Sequence, residues 1–276
     1  MNLELDDIQA QLQDSLSRLL ARDYSFEARA RHVQGERGHS AGVWAQLAEL
    51  GVLGAAIGED WGGFGGDAVD QMLVAQALGK VLATEPYQST VVMAAGAIGA
   101  LGSAAQKLQW LPRIVRGEVQ LGWAHQESGG AIATAARRVD GRWRLSGRKT
   151  LVLDAPNCAQ WIVSAEDDSG MPALFLVDAA SADVCIDACR LIDGSPAADL
   201  RLEATPAERL EGLGPEAMPA ALARLLDAGI SAACAEMVGV METACNLSFD
   251  YLKTRQQFGR AIGSNQALQH RAVDML

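Results

Sequence analysis

The stretch from Arg255 to Gln266, RQQFGRAIGSNQ, places a guanidinium, an aromatic ring, two glycines and a helix start within twelve residues. An arginine fork is planar, permanently charged and able to hold two phosphate oxygens at once. Gly259 can release the chain from a preceding helix, and Ser264 or Asn265 can cap a new one whose free amides favour an anion. The chemistry these types offer is a clasp on a pyrophosphate. The plainer alternative is an exposed arginine, a phenylalanine stapling a helix and a capped turn.

Other chemistry-bearing residues are scattered. Asp227, Glu236 and Glu242 fall in a helical stretch where charges are ordinarily solvated, and His125 and His270 can titrate near neutrality but stand alone. The five cysteines include no CxxC pair and no histidine at ligand spacing, so reduced thiols and no metal site are expected. A net charge of −11 argues against nucleic acid as a main partner. No apolar run is long enough to span a bilayer, and the start MNLELDDIQAQLQDSL is acidic and amphipathic, so a cytoplasmic protein without a membrane partner is expected.

Three regions must position these groups, and they divide at 1–118, 119–213 and 214–276. The first has helical periodicity, with Leu12, Leu16, Leu19 and Leu20 on one face, Val43, Trp44, Leu47 and Leu50 on another, and caps at Ser40 and Gly51. Further helices are expected over 68–82 and 87–101, and a short one from Ser103 that Pro112 ends or kinks. The second alternates with period two around Trp143 and Leu145, with Asp140-Gly141 as a hairpin turn, and reads as a small antiparallel β domain. The third keeps Met218, Leu222, Leu225, Gly229, Ala233, Met237, Val240, Ala244, Leu247 and Tyr251 on one stripe of a helix of roughly ten turns. The fold class is therefore α+β: an N-terminal helical domain, a central β domain and a long-helix bundle that is incomplete in this chain.

Several segments then resemble one family in order. Gly51-Val52-Leu53-Gly54 with Glu59-Asp60-Trp61-Gly62-Gly63-Phe64-Gly65, Lys107 to Arg113 with Gly117-Glu118, and Arg255-Gln256-Gln257-Phe258-Gly259 with Gln266 are similar to motifs of the FAD-dependent acyl-CoA dehydrogenases. The resemblance covers the whole chain. It implies FAD as cofactor, an acyl-CoA substrate, an electron-transfer flavoprotein as acceptor and a homodimer or homotetramer, with a heteromer as the alternative. It also implies that Arg255, Phe258 and Gln266 reach the FAD of a neighbouring subunit. The flavin strand would be Trp123-Ala124-His125-Gln126, where Gln126 stands for a threonine and the Gly-Ser-Asp that usually follows is missing. Leu151-Val152-Leu153 replaces the usual Trp-Ile-Thr/Ser triplet that packs on the flavin, leaving the Leu153 amide to serve its edge.

Dehydrogenation between C2 and C3 of an acyl thioester needs a desolvated carboxylate near C2. One family position for it corresponds to Gly229, and the other falls past Leu276. No catalytic residue is therefore assigned. The final helix ends on an apolar face with no partner, which reads as a piece of a longer protein, with a truncated gene or a second completing polypeptide as alternatives. Three functions stay open: an acyl-CoA dehydrogenase or its cofactor-holding part, a non-catalytic partner subunit, and a flavin-dependent monooxygenase on the same fold.

Overall fold

The computed structural model describes residues 5–275. Six helices come first: α1 (Asp7–Asp23), α2 (Phe26–Gln34), α3 (Ala41–Glu49), α4 (Ala68–Lys80), α5 (Gly96–Leu101) and α6 (Ala104–Val115). Short polar side chains start all of them but α5, as the Asp6 carboxylate accepts the Ile8 and Gln9 amides, and the Ser40 and Ser103 hydroxyls accept those of Val43 and Gln106. The apolar faces of all of these helices except α2 meet in a shared core that includes Leu16, Leu47, Leu53, Ile98 and Ile114.

Two details differ from the sequence expectation. The helix expected over 87–101 is π-helical from Tyr87 to Ala95 before becoming α5. A π-helix makes i→i+5 bonds and is rare, often found at functional sites. In addition, α6 runs through Pro112 to Val115. Proline deprives only the Leu108 carbonyl of its helical donor, and Leu108 is exposed, so water can replace it.

Seven strands follow: β1 (Leu121–Ala124), β2 (Ala135–Val139), β3 (Arg142–Leu153), β4 (Gln160–Glu166), β5 (Pro172–Asp178), β6 (Val184–Arg190) and β7 (Pro196–Arg209). Their order is β1-β4-β2-β3-β7-β5, with β6 on β7 and a β4–β5 pairing that closes the sheet on itself. Asp140 and Gly141 form the expected hairpin turn, with φ of 50° and 77° between the paired Val139 and Arg142. Not every pairing is antiparallel. β1 runs parallel to β4, because the chain crosses over the β2–β3 hairpin before returning. Trp161, Phe175, Leu145 and Leu200 fill the interior.

The long helix α7 (Met218–Thr254) has 37 residues and crosses α4 and the π-helical segment. The expected single stripe holds only at its start. Met218, Leu222, Leu225 and Gly229 are buried, but the buried line then moves to Ala232, Ala235 and Gly239, leaving Met237, Ala244, Leu247 and Tyr251 exposed. The cause is contact with α4, which admits only small residues where the two backbones meet. After α7 come a hairpin of β8 (Gln256–Gln257) and β9 (Arg260–Ala261) and the helix α8 (Gln266–Asp274). Among the described residues, no helix is long and apolar enough to cross a membrane.

Candidate functional site

A groove of about 300 Å³ lies where the β sheet, the π-helical segment and α7 meet. The end of β1 supplies Trp123, His125 and Gln126, and β3 supplies Thr150, Leu151 and Leu153. The π-helical segment adds Gln88, Ser89 and Met93, and α7 adds Leu226, Gly229, Ile230 and Ala233. Five of the eight residues expected to meet the flavin thus converge on one groove.

Local backbone geometry explains how the leucines reach it. The β3–β7 register slips between Lys149 and Val152, and Leu151 takes φ 52° with its amide held by the Asp199 carboxylate at 2.9 Å. A bulge of this kind re-aims side chains. Val152 therefore points into the barrel core while Leu151 and Leu153 stay open to the groove. The Thr150 amide donates to the Gln126 carbonyl at 2.8 Å, tying the two strands into one wall.

Behind that wall lies a buried charged network. Lys149 is fully buried and donates to Glu127 Oε1 (2.5 Å), Ser164 Oγ (3.0 Å) and the His125 carbonyl (3.3 Å). Glu127 also accepts the Ala133 and Thr134 amides and the Thr134 hydroxyl. Burial favours the neutral forms of both partners; the bonds from Lys149, Thr134 and Ala133 nevertheless hold Glu127 below its ordinary value, while Lys149 stays lowered despite Glu127. Glu127 is thus a structural carboxylate that closes the loop after β1.

Sequence reasoning missed a second acid. Asp154 is buried at φ 58° just after β3 and accepts the Ser89 hydroxyl at 2.6 Å. Burial pushes its pKa up to about 7, with the Ser89 bond opposing and the charges of Asp193 and Glu85 adding. Nothing in the sequence distinguishes Asp154 from a loop aspartate, because Ser89 is 65 residues away. The carboxylates weighed from sequence fall elsewhere: Asp227 is exposed and Glu242 pairs with Lys80 at the surface, while Glu236 is raised by burial but does not line the groove. Position 229 has no side chain, and a Cβ there would stand 2.6 Å from Met93 Sδ.

Arg255, Phe258 and Gln266 are not in this groove. The 26 residues from Gly229 to Arg255 rise about 39 Å along α7. Phe258 and Gly259, with φ of 52° and 78°, form the tip of the β8–β9 hairpin, and Phe258 is wholly exposed. Gln266 opens α8. Asn265 is the N-cap residue, but its side chain accepts from Arg260 at 2.7 Å and caps nothing.

The comparisons agree with this architecture. Residues 6–118 match the acyl-CoA dehydrogenase N-terminal domain and residues 219–276 the C-terminal domain of the same family. The acyl-CoA dehydrogenase FadE27 of Mycobacterium tuberculosis is 32% identical over 84% of this chain, which spans 61% of that protein. A variant of the Tcur3481–Tcur3483 steroid ACAD is 32% identical at a TM-score of 0.89, over 97% of this chain and 73% of the other. The ChsE4–ChsE5 complex from Mycobacterium tuberculosis contains a chain that is 28% identical at a TM-score of 0.91, over 99% of this chain and 74% of the other.

Proposed function

Because the chain belongs to the acyl-CoA dehydrogenase family, we propose that its groove holds the isoalloxazine of FAD and that the chain is the cofactor-holding part of an enzyme oxidising an acyl-CoA thioester to its 2,3-enoyl form. The observation that carries this is the convergence of Trp123, His125, Gln126, Leu151 and Leu153 with the helix position Gly229 on one groove. FAD, when bound, accepts the hydride from C3. The strand amides near Gln126 and Leu153 would donate to the flavin edge, and Leu151 and Leu153 would exclude water from its face. An electron-transfer flavoprotein would be the acceptor.

The clasp of Arg255, Phe258 and Gln266 serves the FAD of a second copy. Its distance from the groove along α7 is too great for both to hold one flavin within one chain. The exposed apolar face of α7, with Ile230, Met237, Met241, Leu247 and Tyr251, is suited to such an assembly. The assembly is a homodimer or homotetramer.

One observation favours a second reading, a non-catalytic partner subunit in a heteromer. Among the described residues no carboxylate lines the groove, and Met93 occupies the space a side chain at position 229 would need. Two measurements separate the readings. Purified chain should take up FAD and show an oxidised flavin spectrum; protein that stays colourless in excess FAD refutes the cofactor site itself. Straight, branched, dicarboxylic and steroid acyl-CoAs are then mixed anaerobically with the loaded chain. Slow or no bleaching is expected of this chain alone, since a positioned base contributes about 10²–10⁴-fold. Rapid bleaching would assign the base to this chain, with Asp154 the first residue to replace.

A further inference from the structure

We propose that His125 is a fixed hydrogen-bond donor of the groove, its Nε2–H held towards a carbonyl oxygen of the bound ligand by the Glu127–Lys149–Ser164 chain behind it. The proposal rests on the flavin-groove reading above. It concerns a side chain, where the strand's expected role is one of backbone amides.

The tautomer follows from counting donors. Lys149 has three donors and three acceptors: Glu127, the His125 carbonyl and Ser164 Oγ. Ser164 therefore receives a bond from the ammonium while fully buried, and among the described residues the only other partner of its hydroxyl is His125 Nδ1 at 2.9 Å. Were Nδ1 to carry the proton, the buried Ser164 hydroxyl hydrogen would be left without an acceptor among the described residues. Ser164 thus donates to Nδ1, and the ring proton resides on Nε2. Burial and the Lys149 charge lower the His125 pKa, which keeps the imidazole neutral near pH 7.

The ring is also held in orientation, stacked on Trp123 with 5.6 Å between centroids. Among the described residues Nε2 has no hydrogen-bond partner, yet it is not among the enclosed unpaired atoms, and the residue lines the groove. A neutral, oriented N–H opening there matches an oxygen that gains negative charge during reaction. Two ligand groups have that chemistry: the carbonyl edge of the flavin pyrimidine and the carbonyl of the thioester.

The test starts with the imidazole nitrogens of the unliganded chain, read by ¹⁵N NMR. His125 should be the Nε2–H tautomer and should lose that preference in Ser164→Ala; an Nδ1–H tautomer in the wild type overturns the proposal. Binding is then titrated with FAD, with a non-oxidisable acyl-CoA thioester, and with an alkyl-CoA thioether lacking the carbonyl. His125→Phe should weaken FAD or the thioester by about two- to tenfold, the weight of one neutral hydrogen bond. His125→Gln, which keeps a donor, should restore most of it, and the thioether should not respond. Weakened FAD identifies the flavin carbonyl as acceptor, and weakened thioester alone identifies the substrate. Equal binding of both by wild type and His125→Phe overturns the donor role. A wild type that takes up neither ligand refutes the flavin groove, and this proposal with it.

Discussion

Gly79 of α4 and Gly239 of α7 meet the opposite helix backbone directly: a Cβ on Gly79 would fall on the Glu236 carbonyl oxygen, and one on Gly239 on that of Gln76 and 2.9 Å from the Lys80 nitrogen. This contact sets how closely α7 lies on the N-terminal helices, and so how Gly229 faces the groove. Gly239→Ala should destabilise the protein by about 1–3 kcal/mol, because overpacking outweighs the gain in helix propensity. Gly99 of α5 has nothing within 4 Å of a built Cβ, so Gly99→Ala should be neutral or stabilising by about 0.5–1 kcal/mol. Urea denaturation of the two variants would show opposite or clearly unequal shifts; equal shifts would contradict the backbone contact.

Removing one partner from the buried pair should cost more than removing both. Glu127→Gln leaves the fully buried Lys149 ammonium without its counter-charge and should cost about 3–5 kcal/mol. The double variant Glu127→Gln/Lys149→Met should recover part of that loss. A double-mutant cycle with no coupling would show that the pair does not hold the loop after β1.

The Asp154 carboxyl makes stability depend on pH with a definite sign. Its folded pKa of about 7 lies above the unfolded value, so the folded state binds the extra proton. That contribution is complete below about pH 4 and is lost as pH rises through 7, by up to roughly 4 kcal/mol. Asp154→Asn keeps an acceptor for Ser89 and abolishes the titration. The variant should therefore match the wild type at pH 4 and exceed it in stability at pH 8. Parallel stability profiles would place the Asp154 pKa near its ordinary value.

Arg255→Ala tests the clasp apart from the groove. The side chain is exposed, so the fold should be unchanged, while FAD retained after gel filtration falls by an order of magnitude or more; charge-assisted bonds are worth about 1.5–3 kcal/mol each. Light scattering on the same samples should show a dimer or tetramer for the flavin-loaded wild type. A stable flavin-loaded monomer would be incompatible with a clasp acting between copies.

Local information was enough for much of this molecule. Helix starts at Asp6, Ser40 and Ser103 depend on short side chains reaching amides two or three residues away, and the Asp140-Gly141 turn on two left-handed residues. Trp123 to Gln126, Leu151 with Leu153, and Arg255 to Gln266 could be singled out from sequence because each group lies within a short stretch of chain. Tertiary structure alone decided what depends on distant chain segments meeting. The Ser89–Asp154 bond joins residues 65 apart, and Lys149 on β3 meets Glu127 in the loop after β1 and Ser164 on β4. The burial of Ala235 and Gly239 in place of Met237 on α7 was likewise set by α4, since a helical period specifies an apolar face but not the neighbour that covers it.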